Sequence, residues 1–187
     1  MKIGMKIVMK MKLPRNLPTL ALLLALSACA TGPESPVVPA SPAASKVATT
    51  LRLANVIAAS KGADDRELAV QPLRDPEVQD LREAATAAIA THDYATAAKA
   101  LNQALLITPD DPAILQERAE VALLQAENER AETLARRAFD LGSKVGPLCR
   151  RHWATIEQAR LARGLPQDAA SAHTQIEACT VAGLERM

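Results

Sequence analysis

Three cysteines, three histidines and two pairs of adjacent carboxylates are the residues of this 187-residue chain whose types could do chemistry. Cys29 ends an apolar run, directly after the small pair Ser27-Ala28. Cys149 and Cys179 stand 30 residues apart, with His152 and His173 between them. A cross-link, two buried thiols or zinc ligation by Cys149, His152, His173 and Cys179 are the uses open to this set. A catalytic thiol would need a base and an electropositive setting, and no signature accompanies either cysteine. Asp64-Asp65 follows Gly62 as turn residues do, and Asp110-Asp111 precedes Pro112 as a helix cap does. His92 falls in a loop and is read as solvated. The chain has no GxSxG, no HExxH and no glycine-rich phosphate loop. The expectation is a protein without catalytic residues, bound metal or cofactor.

Residues 1–28 form a leader. Lys2, Lys6, Lys10, Lys12 and Arg15 precede the apolar run 17–26, and no carboxylate accompanies them. The run is too short to serve as a stable bilayer-spanning anchor. Met9 and Met11 would each serve as an alternative start. Where an ordinary cleavage site has alanine, Leu26-Ser27-Ala28 is followed by Cys29. This tetrapeptide resembles the lipobox of bacterial lipoproteins. The resemblance implies that the Cys29 thiol is acylated and becomes the mature N-terminus, so that lipid attaches the chain to a membrane. Ala30-Thr31, in place of an aspartate after the cysteine, implies the outer membrane, with the body facing the periplasm.

The leader carries five of the 22 Lys and Arg and none of the 21 Asp and Glu, so the mature chain is net acidic. An acidic surface with one Phe, one Tyr and one Trp gives neither phosphate attraction nor a stacking platform, which argues against nucleic acid. Residues 29–50, rich in Pro, Ala, Ser and Thr, read as a lipidated, disordered tether. Residues 51–75 read as a partly ordered lead-in: Leu51, Leu53, Val56 and Ile57 suit a short amphipathic helix, and the stretch before Pro72 reads as extended.

Residues 76–187 contain the folded domain. Aligned with itself at a period of 34, the chain superposes Ala85 on Ala119, Ala97 on Ala131 and Ala104 on Ala138. Asp75-Pro76 and Asp111-Pro112 are helix starts, Asp93 caps a helix opening at Tyr94, and Gly142 ends another. Helices are predicted near 76–91, 94–107, 112–125, 128–141, 150–163 and 166–179. The small residues at fixed repeat positions, with Tyr94, Pro109, Trp153 and Gly164, resemble the tetratricopeptide repeat. That resemblance implies an all-α fold of three tandem antiparallel hairpins stacked as a right-handed solenoid. The third unit departs from the pattern: Gly146–Cys149 are inserted before it, Glu157 stands at a small position, and Ile176 replaces an alanine.

On this alignment Cys149 and Cys179 come to one end of the third hairpin. In an oxidising periplasm that arrangement favours a disulfide, worth about 3–4 kcal/mol in the chain-entropy model. The repeat family binds peptides or partner helices along its first helices, where this chain places Arg82, Gln116, Glu120, Arg151 and Gln158. The expected function is non-enzymatic: an outer-membrane lipoprotein whose repeats bind another envelope protein, in envelope assembly or regulation of cell-wall enzymes. A self-associating structural lipoprotein is the alternative.

Overall fold

Asp75, Asp93 and Asp111 each place a carboxylate over the open end of a helix, accepting from Glu77 N, from Thr96 N, and from both Ala113 N and Ile114 N. These bonds satisfy amide donors that have no partner within the helix. Proline at the first position of five helices (Pro42, Pro76, Pro112, Pro147 and Pro166) costs no hydrogen bond there and presets the helical φ. The computed structural model describes residues 42–61 and 75–180. Among them are seven helices and no strand: α1 Pro42–Lys61, α2 Pro76–Ala90, α3 Tyr94–Ile107, α4 Pro112–Leu124, α5 Asn128–Leu141, α6 Pro147–Ala162 and α7 Pro166–Ala178.

The fold is all-helical. The pairs α2/α3, α4/α5 and α6/α7 are hairpins, and α3 against α4 and α5 against α6 join one hairpin to the next. The hairpin turns mark the repeat independently of sequence. His92, Ala126 and Gly164 all adopt left-handed backbone, at φ 61°, 60° and 72°. The first two are one 34-residue period apart, and the third is displaced by the four inserted residues. Three of those four, Pro147 to Cys149, do not lie between repeats as the sequence suggests. Pro147 to Arg150 form the first turn of α6, because Gly146 at φ 87° accepts the sharp entry and Pro147 needs no amide partner. Gly142 ends α5 without left-handed backbone, at φ −93°. Its need is space: a Cβ there would lie 2.9 Å from Ala138 O and 3.2 Å from Pro112 Cβ.

Ala85, Ala97, Ala104, Ala119, Ala131 and Ala138 are all buried. Small residues at these crossings let helix axes approach closely, and Val78, Leu101, Ile114 and Val121 fill the space between. α4 is the central helix, with ten of its thirteen residues buried. It touches α3, α5, α6 and α1. Cys149 in the first turn of α6 and Cys179 at the end of α7 form a disulfide, with Cα atoms 5.7 Å apart. Gly146 N donates to Cys179 O at 2.8 Å beside it.

One element is longer than the sequence suggests. α1 begins at Pro42, inside the stretch read as tether, and runs to Lys61 within the lead-in. Its neighbours are α6 and α4. Proline at the first positions is compatible with a helix start, and the Ala-rich sequence that follows has high helix propensity, so composition alone misplaced this boundary. The leader, Cys29, the remaining tether, Asp64-Asp65 and the stretch before Pro72 lie outside the described residues.

Two substitutions test this packing. Ala97→Leu should overpack the α2/α3 contact and cost about 1–3 kcal/mol in urea unfolding, whereas Ala95→Leu on the exposed side of α3 should be close to neutral. Ala126→Gly should instead stabilise the chain, by up to about 1 kcal/mol, by relieving the left-handed turn.

Candidate functional site

The first helices α2, α4 and α6 carry the residues assigned to a partner groove, and charge links them in sequence. The Arg82 guanidinium on α2 makes a two-pronged ion pair with Glu117 on α4, its Nε 2.9 Å from Glu117 Oε2. Arg151 on α6 pairs in the same way with Glu120 on α4, at 2.6 Å from Nη2 to Oε2. Glu117 holds Arg82 above the ordinary arginine range, against the effect of burial. Burial pushes the Glu120 carboxyl up, while Arg151 and Gln116 oppose the shift.

Beneath these pairs lies a directed hydrogen-bond network between α4 and α6. Gln116 Nε2 donates to Glu120 Oε1 at 2.8 Å and to Thr155 Oγ1 at 2.7 Å. The Thr155 hydroxyl donates in turn to Arg151 O at 2.9 Å. Both protons of the Gln116 amide are thereby used. Its Oε1 is an acceptor, and His152 Nδ1, 2.7 Å away, must be the donor. That assigns His152 as the Nδ1–H tautomer, with a bare Nε2 that has no partner and faces Gly142. A proton on Nε2 would find no acceptor in this fully buried site. Burial first, then the nearby Arg151 and Lys144 charges, lower the His152 pKa from 6.5 to about 3.

These positions commit residues assigned to the groove to contacts within the chain. Gln116 is fully buried, and Glu120 is only 6 % exposed, so both are spent on holding α4 to α6. Gln158 is buried as well, and its Oε1 accepts from Asn55 Nδ2 of α1 at 3.3 Å. Arg82 and Arg151 retain partial exposure but are committed to ion pairs. α1 itself covers part of the first-helix face. Val56 is fully buried with Leu123 and Ala122 of α4 and Ala154 and Ala159 of α6. Burying such a side chain contributes about 1.5–3 kcal/mol. The α2 end is more open, with Thr86 exposed and Gln79 half-exposed.

Sequence reasoning missed Glu117, Thr155, the role of His152 and the extension of the covering helix back to Pro42. Spacing on α6 could have hinted at Thr155, since Arg151 and Thr155 are four residues apart on one face. Nothing local says that this face meets α4. His173 is remote from His152 and pairs with Glu157 at 3.1 Å on an exposed surface. With both thiols in the disulfide, the residues weighed as a zinc set have other partners. No group of His, Cys, Asp and Glu suited to a metal occurs among the described residues. On α5, a shallow depression bounded by Arg136, Arg137 and Arg163 is crossed by ion pairs from Glu132 to Arg160 and Arg163. It reads as a solvated packing seam.

No protein-family model matches the chain, and no curated protein matches it. Among solved structures it is similar to the globular C-terminal domain of LpoP from P. aeruginosa, with 30% identity and a TM-score of 0.54. The similarity covers 56% of this chain and 99% of that domain. The chain belongs to the family of the LpoP C-terminal domain. The LpoP-like domain is thus an arrangement of helical hairpins with its most ordered polar chemistry buried between α4 and α6.

A buried neutral histidine makes stability depend on pH. The unfolded chain takes up a proton near pH 6.5 that folded His152 refuses until about pH 3, so stability is lost as pH falls through this window. In urea unfolding the His152 contribution should approach about 1.4 kcal/mol per pH unit between pH 6 and 4. His152→Asn should lower stability at pH 7 and flatten that slope; an unchanged slope would refute the assignment.

Proposed function

We propose that this chain is a lipid-anchored protein of the outer membrane, facing the periplasm, whose LpoP-like domain binds another envelope protein and thereby regulates cell-wall synthesis. The observation that carries the proposal is the 30% identity spanning almost the whole LpoP domain. The Leu26-Ser27-Ala28-Cys29 lipobox supports the anchor, and the resemblance to tetratricopeptide repeats supports protein binding. The adaptor acts without catalysing a reaction. Its polar residues between α4 and α6 are tied to one another in structural pairs.

In this reading the lipid on Cys29 holds the domain at the membrane, and the tether sets how far it reaches toward the cell wall. The partner approaches the more open α2 end of the first-helix face. The partly exposed Arg82–Glu117 pair there gives orientation and specificity more than affinity.

The test is photo-crosslinking in the bacterial envelope, with a photoreactive residue at exposed Thr86 or, as a control, at Arg137 on α5. Thr86 should capture one defined envelope protein by mass spectrometry, and Arg137 should not. Cys29→Ser should leave an unprocessed, unlipidated precursor and abolish the capture in cells. Normal membrane attachment of that variant would overturn the anchor, and the absence of any specific adduct would overturn the adaptor.

A further inference from the structure

We infer that the outward face of α1 is a membrane-contact surface. With Cys29 acylated, α1 lies along an acidic phospholipid bilayer and fixes which side the domain turns to the lipid. The inference rests on the anchored reading above for bringing the chain to a membrane. The contact surface itself is argued from α1 and its charge.

α1 is apolar on both sides. Val56 is buried among residues of α4 and α6, while Asn55 and Ser60 O bond to Gln158 and Arg150 of α6. At 3.6 residues per turn, the side opposite Val56 carries Leu51, Ala54, Ile57, Ala58 and Lys61. All five are exposed, Leu51 at 61% and Ile57 at 42%. Leu51 and Ile57 flank the strip, and Ala54 and Ala58 lie between them. Single exposed aliphatic residues are ordinary, but four on one helical face with no carboxylate among them make a contact surface. No described helix is long and apolar enough to cross a membrane, so the contact is one of lying on the bilayer.

Charge selects the occupant. α1 contains Lys46, Arg52 and Lys61 and no Asp or Glu. Outside the leader and α1 the chain has 14 Lys and Arg against 21 Asp and Glu. An acidic bilayer therefore attracts α1 and repels the remainder, which sets orientation as well as contact. A second copy docked through the same face would set these cations against each other. Reach supports the same occupant. Twelve residues separate Cys29 from Pro42, a span of at most about 45 Å. Lipid on Cys29 makes the contact of α1 a second attachment of a chain already held, so a strip too thin to retain a free protein is sufficient. Docked in this way, the domain turns its α1 side to the lipid and its second helices α3, α5 and α7 away from it.

The test uses the mature lipidated chain in vesicles, with an environment-sensitive NBD label on Ala58→Cys or, as a control, on Ala95→Cys of α3. Cys29 is acylated and the other two cysteines form the disulfide, so each variant has one free thiol. In vesicles containing phosphatidylglycerol, the Ala58 label should shift to the blue. Lipids spin-labelled on the acyl chain should quench it several-fold more than the Ala95 label. The difference should shrink in phosphatidylcholine vesicles and vanish in Leu51→Ser/Ile57→Ser, whose exposed positions leave helix content unchanged by circular dichroism. Vesicle flotation should be the same throughout, because it reports the Cys29 lipid alone. A chain that floats with its Ala58 label in water overturns membrane docking and leaves the anchor standing; a chain that does not float overturns both. A blue shift that grows with the number of chains per vesicle assigns the face to a second copy and overturns the lipid occupant.

Discussion

With one Phe, one Tyr and one Trp, this chain cannot fill a core with large rings, so its helices must come close together. That constraint governs the structure. Six alanines at repeating positions sit where helices cross, each at most 2% exposed, and the aliphatic residues beside them are spaced to interdigitate. Close-packed interiors tolerate little added volume, so identity at these positions is fixed by the distance between helix axes rather than by hydrophobicity. Two of the aromatics, Phe139 and Trp153, lie outside this pattern and stack edge-to-face at 5.0 Å between α5 and α6.

The close approach of α4 and α6 also determines the polar chemistry. Gln116, Glu120, Arg151, His152 and Thr155 are drawn into a space with little access to water, where an unpaired donor would be costly. The network meets that demand by direction: both Gln116 amide protons, the Thr155 hydroxyl and His152 Nδ1–H each have an acceptor. The bare His152 Nε2 is tolerated because a lone pair costs less to bury than a donor or a charge. A histidine that looks like a candidate ligand in the sequence is thereby a neutral structural group.

The same two helices present a second surface on which α1 lies. The six-helix array is held by repeated alanine crossings and a disulfide, and α1 lies on it through contacts that include buried Thr49 and Val56, the Asn55–Gln158 hydrogen bond and the Arg150 bond to Ser60 O.

How much of this was legible in the chain follows from the range of each interaction. The six hairpin helices were readable because their signals are local. Aspartate caps, prolines at first positions and alanines at a 34-residue period act within a few residues or repeat by symmetry, and the observed boundaries fall within one or two residues of those expected except at α6. The fold class followed from them. The uses of the groove residues did not. Whether Gln116 faces a partner or His152, and whether Glu120 is free or paired with Arg151, depends on side chains more than 30 residues apart meeting across α4 and α6. The first part of α1, before the short helix expected around Leu51–Ile57, was hidden for the same reason. The composition of residues 42–50 resembles a tether, and only the small-residue floor on α4 and α6, assembled by the fold, gives Thr49 and Val56 something to bury against.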